Sequence, residues 1–72
     1  MAEPSGKIFN YGFIYCSVSE FKGKKFIDIR KYYEQNGEVL PSKKGITFSL
    51  DDYTEVLKAL NEYNEKILEA FK

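Results

Sequence analysis

This chain of 72 residues predicts an α+β domain: four antiparallel strands followed by one long helix. Three observations carry that prediction. Hydrophobic alternation with a period of two runs through residues 14–21 and again through residues 24–34. Between the second run and a third apolar segment stands Asn36-Gly37, a hairpin signal, because both residues tolerate the positive φ that a two-residue turn demands. From residue 50 to about residue 71 there is neither glycine nor proline, and apolar residues return at helical spacing.

Taken in order, residues 1–6 show no pattern and read as a disordered lead, leaving residues 7–72 as the domain. Residues 8–13 are aromatic-rich (Phe9, Tyr11, Phe13) and open the sheet, with Gly12 as a turn or bulge. In the second strand Ile14, Cys16 and Val18 point one way, as a core face. Tyr15, Ser17, Ser19 and Phe21 point the other way, as either a second buried face or a binding surface. Lys22-Gly23 turns the chain. In the third strand Ile27 and Ile29 share a face with Lys25, Lys31 and Tyr33, while Phe26, Asp28, Arg30 and Tyr32 share the opposite one. The fourth strand, residues 38–48, contains Pro41. Proline donates no ladder hydrogen bond and demands an edge or a bulge, which leaves Ile46 and Phe48 as the core residues of this strand.

Ser49 is placed to cap the helix, and Asp51 and Asp52 suit the positive end of its dipole. Tyr53, Leu57, Leu60, Asn64, Ile67 and Phe71 follow one another at spacings of four and three, a heptad-like seam. Val56, Tyr63, Leu68 and Ala70 widen it. Packing on the chain's own sheet accounts for about half of such a stripe. The remainder predicts a second helix from another protomer, a helix-mediated homodimer with Leu57, Leu60, Asn64, Ile67 and Phe71 at its interface. Asn64, polar and mid-seam, would fix the register.

Size supports the same inference. A domain this short buries only roughly 60% of the surface its unfolded chain exposes. A single cysteine, Cys16, allows no internal disulfide, and with no histidine there is no Cys/His metal cluster to help. Extra burial is expected from oligomerisation. Cys16 reads as a small buried hydrophobe. No signal peptide or membrane-spanning run is present, so the expectation is an intracellular, soluble protein with no membrane partner. No cofactor is expected. Without histidine, and with carboxylates gathered on a helix exterior, no acid–base constellation assembles, and enzymatic activity is not expected.

The net charge of zero conceals a segregation. Residues 21–50 carry a net +4, residues 51–72 a net −3 and residues 1–20 a net −1. The basic segment begins with Phe21-Lys22-Gly23-Lys24-Lys25-Phe26-Ile27-Asp28-Ile29-Arg30. Two aromatics bracket three lysines, and an arginine follows. Phosphates need cations and unstacked bases need flat aromatic faces, so such a turn offers what a single-stranded nucleic-acid binder requires. A solvated hairpin tip has the same composition, and on composition alone the two readings stand level.

Phe21-Lys22-Gly23-Lys24, Ile27-Asp28-Ile29-Arg30, Tyr32-Tyr33, Gly37-Glu38 and Lys43-Lys44-Gly45-Ile46, with their spacing, resemble the DNA-binding domain of the transcriptional coactivator positive cofactor four family. The resemblance covers about residues 8–70. It implies a curved four-stranded antiparallel sheet and a helix, two protomers packed through their helices, and sequence-independent grip on single-stranded DNA. It further implies that Phe21 stacks on bases, that Lys22 and Lys24 meet phosphates, and that Arg30 lies in the channel. Tyr33 takes the place of a stacking tryptophan, and Lys43 and Lys44 match a basic pair before the last strand. Lys25 is added on charge alone, and Tyr15, Ser17 and Ser19 are expected to line the channel. Arg30 and Tyr33 are three positions apart and face opposite sides of a flat strand, so a bulge, a strong twist or a different channel wall is needed to reconcile them.

Where the family often carries basic residues this chain has Gly12, Ile14, Ser19 and Leu40, so weaker and less salt-sensitive binding is expected. The serine- and acid-rich tail of the family's eukaryotic coactivators has no counterpart here. The resemblance therefore points to a compact member of bacterial or viral type, DNA-associated, serving replication, recombination or transcription. Two other functions fit the same residues: a protein–protein module that engages replication or transcription proteins, and an RNA binder.

Overall fold

The computed structural model describes residues 4–72. Its elements are β1 (Lys7–Tyr11), β2 (Ile14–Phe21), β3 (Lys24–Gln35), β4 (Glu38–Phe48) and α1 (Leu50–Glu69). The strands form one antiparallel sheet in the order β1-β2-β3-β4, so the expected fold class is the one observed. Of the lead expected over residues 1–6, residues 1–3 lie outside the described residues. Pro4, Ser5 and Gly6 make a turn instead of an unstructured lead: the Lys7 amide donates to the Pro4 carbonyl, and the Val18 amide donates to the Gly6 carbonyl at 3.0 Å.

Both predicted hairpin turns have positive φ at both central residues, Lys22 at 52° with Gly23 at 78° and Asn36 at 53° with Gly37 at 80°. That geometry matches the right-handed twist of the flanking strands. Pro41 satisfies both of its predicted conditions. It lies on an edge strand, and it borders a register shift: Arg30 pairs with Gly45 while Tyr32 pairs with Pro41. Two steps along β3 therefore span four along β4, and Ser42, Lys43 and Lys44 bulge out between them.

Cross-strand partners share a face, which assigns the two sides of the sheet. Phe9, Cys16, Ile29 and Ile46 lie on the helix side, with Phe48 and Ile27. Tyr15, Ser17, Asp28, Arg30 and Gly45 lie on the open side. The Ser49 hydroxyl accepts a hydrogen bond from the Asp52 amide at 3.2 Å and caps α1, a bond of about 1 kcal/mol in such positions. The helix ends at Glu69 with Ala70 as its cap, two residues earlier than expected, as the last turn tightens onto Lys66 and Ile67 carbonyls.

The helix barely settles on its own sheet, and none of its residues is buried. A groove of about 330 Å³ separates the two, lined by Ile29, Ile46 and Phe48 from the sheet and by Tyr53, Leu57 and Leu60 from the seam. Ile46, expected in the core, is 52% exposed. Ile14 is exposed as well, and of its expected core face only Cys16 is buried. Beyond the groove Asn64, Ile67 and Phe71 are exposed, Phe71 by 87%. The molecule is a slab of 39 × 34 × 18 Å whose apolar stripe faces outward along much of its length.

Candidate nucleic-acid interface

The open side of the sheet has a firm middle and a loose rim. Tyr15 and Tyr32 pack ring to ring at 4.7 Å, tilted by 54°, and the Lys7 ammonium lies 5.8 Å from the Tyr15 ring centre. Tyr15 and Ser17 are 7% and 5% exposed. Expected to line a channel, they instead lie beneath its surface, and of the three residues named for that role only Ser19 is exposed. Burial raises the pKa of the Tyr32 phenol, and the nearby Asp28 charge adds to the effect.

Beside the tyrosines, the Arg30 guanidinium grips Asp28 through Nε at 3.1 Å and Nη2 at 3.0 Å, and its Nη1 donates to the Ser42 carbonyl at 2.9 Å. The Thr47 hydroxyl also donates to Asp28 at 2.9 Å. These bonds to the carboxylate raise the pKa of Arg30 further, so it remains a cation at any working pH. The guanidinium is not a free phosphate hook, because three of its five N–H groups are already engaged.

At one end of the sheet stands the β2–β3 turn. Phe21 is 66% exposed on the open side, paired with Lys24, and the Lys22 ammonium lies 5.4 Å from the Phe21 ring centre. Lys43 and Lys44 project from the β4 bulge, both exposed. Phe21, Lys24, Ser19 and Arg30 thus share one face, with Lys22 at its turn and the bulge lysines at its edge. Lys25, paired with Glu20, and Tyr33, paired with Leu40, fall on the opposite face. A bulge, one of the three expected ways to reconcile Arg30 with Tyr33, exists, but its surplus residues are on β4. The alternation along β3 is not reset, so the two residues remain on opposite sides.

Sequence reasoning missed Asp28 and Ser42. A signal for Asp28 was present, since an acid two residues before an arginine shares its strand face. Nothing in the local sequence marks Ser42.

The family model described as Transcriptional Coactivator p15 (PC4) matches residues 12–59. The chain belongs to this family. A coactivator of RNA polymerase II transcription from Drosophila melanogaster is 40% identical over 50 residues, which cover 69% of this chain and 46% of that protein. The chain therefore spans less than half the length of that relative. Two solved structures share the PC4 fold of this chain. The MoSub1–ssDNA complex matches with a TM-score of 0.71 and 32% identity over 99% of this chain and 96% of the other. The MoSub1–DNA complex matches with a TM-score of 0.70 and 36% identity over 92% and 85%. The matching coactivators include those of animals, fungi and a plant, and lend no support to a bacterial- or viral-type member.

Proposed function

We propose that this chain binds single-stranded DNA with little regard to sequence, as a homodimer, in the service of transcription. The observation that carries the reading is the exposed Phe21 ring between Lys22 and Lys24 on the open face of a PC4-family sheet. That face corresponds in fold to a MoSub1 chain solved with single-stranded DNA. Phe21 stacks on a base while Lys22, Lys24, Lys43 and Lys44 neutralise phosphates, and Ser19 offers a sequence-tolerant hydroxyl. Tyr15, Ser17 and Tyr32 are the floor that holds this surface. Tyr33 and Lys25 contribute from the opposite face, on another wall of the path. Transcription is favoured over replication or recombination because the relatives are named as RNA polymerase II coactivators. The proposed location is DNA-associated.

The dimer rests on the unburied helix. A seam of Leu57, Leu60, Ile67 and Phe71 in water forfeits about 25 cal/mol for every Å² of apolar surface, and a second copy of the same seam covers it. Asn64 lies within the seam and pairs across it.

The test is fluorescence anisotropy with a labelled strand of about 20 nucleotides and its duplex over a range of salt, for wild type, Phe21→Ala and Lys22→Ala/Lys24→Ala. Preference for the single strand, lost in both variants, supports the reading. Binding indifferent to strandedness or to these substitutions overturns it.

A further inference from the structure

One acid lies in the middle of the basic face, and it is not a neutral bystander. Asp28 accepts from Arg30 and from Thr47. Arg30 passes the link to the Ser42 carbonyl at 2.9 Å. Ser42 closes it: its hydroxyl donates to the Lys31 carbonyl at 2.6 Å and accepts from the Lys44 amide at 3.1 Å. The chain crosses Arg30 at Gly45, where a Cβ would lie 2.7 Å from the arginine side chain. One polar circuit therefore runs from β3 into the β4 bulge and fixes the backbone from which Lys43 and Lys44 project.

We infer that Asp28 is a positioning residue for strand binding: through Arg30 and Ser42 it holds the β4 bulge so that Lys43 and Lys44 meet successive phosphates. The inference rests on the proposed function. It makes a counter-intuitive claim, because Asp28 is an anion on a surface that receives a polyanion. Simple electrostatics has its removal tighten binding. Positioning has its removal weaken binding, since lysines on a slack loop lose conformational entropy when they dock.

Asp28→Ala and Asp28→Asn separate the two effects, because both change the net charge equally while only asparagine keeps a side-chain acceptor for Thr47 and Arg30. Ser42→Ala removes the two hydroxyl bonds, to the Lys31 carbonyl and from the Lys44 amide, with no charge change and leaves the carbonyl that Arg30 holds, while Ser42→Thr keeps the hydroxyl. Lys43→Ala/Lys44→Ala sets the limit. Losing two phosphate contacts lowers the salt slope by about 1.4 and the affinity by roughly 25-fold at about 0.1 M salt. Expected are a fall toward that limit for Asp28→Ala and Ser42→Ala, smaller falls for Asp28→Asn and Ser42→Thr, and faster hydrogen exchange at the Lys44 amide in both alanine variants without DNA. Tighter binding by Asp28→Ala and Asp28→Asn alike overturns the inference while leaving the proposed function standing. If Asp28→Ala does not fold, unchanged affinity and unchanged Lys44 exchange in both Asp28→Asn and Ser42→Ala overturn it. A wild-type chain that ignores the strand removes the proposed function and the inference together.

Discussion

Replacing Gly45 by alanine should destabilise the chain by about 1–3 kcal/mol, the range for forcing an extra methyl group into a packed site. Gly45 faces Arg30 across the β3–β4 ladder, and a Cβ there would lie 2.7 Å from both Cβ and Cγ of Arg30 and 2.8 Å from its Cα. Carbon atoms prefer about 3.5–4.0 Å, so the deficit is close to 1 Å against three atoms at once. Swinging away a flexible tip gives no relief, because the atoms struck are the root of the side chain and the backbone itself. The strands must part, or Arg30 must leave Asp28 and the Ser42 carbonyl. For a domain of this size each kcal/mol corresponds to about 4–8 °C in Tm, so a fall of roughly 4–24 °C is expected. Gly37→Ala is the comparison. Its φ of 80° is strained for alanine, but a Cβ there meets nothing within 4 Å. Its cost is conformational only, about 1–2 kcal/mol, and leaves the bulge intact. Thermal melts at one fixed protein concentration, with strand affinity measured beside them, test both, since a dimer's Tm depends on concentration. A Gly45→Ala protein that melts with wild type and binds the strand with wild-type affinity would refute the steric argument.

Three further outcomes follow from the same geometry. Phe21→Ala should cost about 1–3 kcal/mol of stacking, roughly 5- to 150-fold in Kd, and leave the salt slope unchanged, whereas Lys22→Ala/Lys24→Ala should lower that slope by about 1.4; anisotropy titrations over salt separate them. Leu60→Glu, placing a charge in the exposed seam beside the groove, should convert the proposed dimer to monomer in sedimentation velocity while Asn64→Leu changes oligomeric state or stability; a Leu60→Glu chain that stays dimeric puts the interface elsewhere. Burial, with the Asp28 charge second, raises the Cys16 pKa in the folded chain. Between the thiol's ordinary value of about 8.5 and that raised value, the unfolded chain loses a proton that the folded chain keeps. This contribution to stability is complete below the ordinary value and is lost as pH rises through the folded one, so urea midpoints should fall on the alkaline side more steeply in wild type than in Cys16→Ala.

The strands, both turns and the helix cap were legible because each rests on a local rule: alternation in residues 14–21, positive φ at Asn36-Gly37, and a hydroxyl at Ser49. Pro41 even announced the bulge, because a missing N–H must fall where the ladder is interrupted. For Tyr15 and Ser17 the sequence left open a second buried face or a binding surface, and in this chain they are buried. Alternation assigns a residue to a face but does not say how far that face closes over itself, and here the Tyr15–Tyr32 pair and Lys7 close it. Ile46 departs in the opposite direction: its face is apolar, but α1 does not close over it. The role of Ser42 depends on a register shift set by residues on two strands, which no local pattern encodes.

A chain with no net charge binds a polyanion only if its charges are sorted, and the helix does the sorting. At 100° per residue, Glu55, Glu62 and Glu69 recur every seventh position on the side opposite the seam of Leu57, Leu60 and Ile67. In the proposed dimer, burying that seam against a second copy would turn these acids outward and leave the open faces of both sheets to the lysines. The sorting is local, however. Beyond a Debye length of about 8–10 Å the acidic and basic segments largely cancel, so the molecule presents little field to steer a distant strand. Most of the electrostatic gain must then arise after contact, from cations already held in place. On the proposed function, the turn at Lys22 and the bulge at Lys43 and Lys44 should therefore matter more in this chain than the number of its lysines.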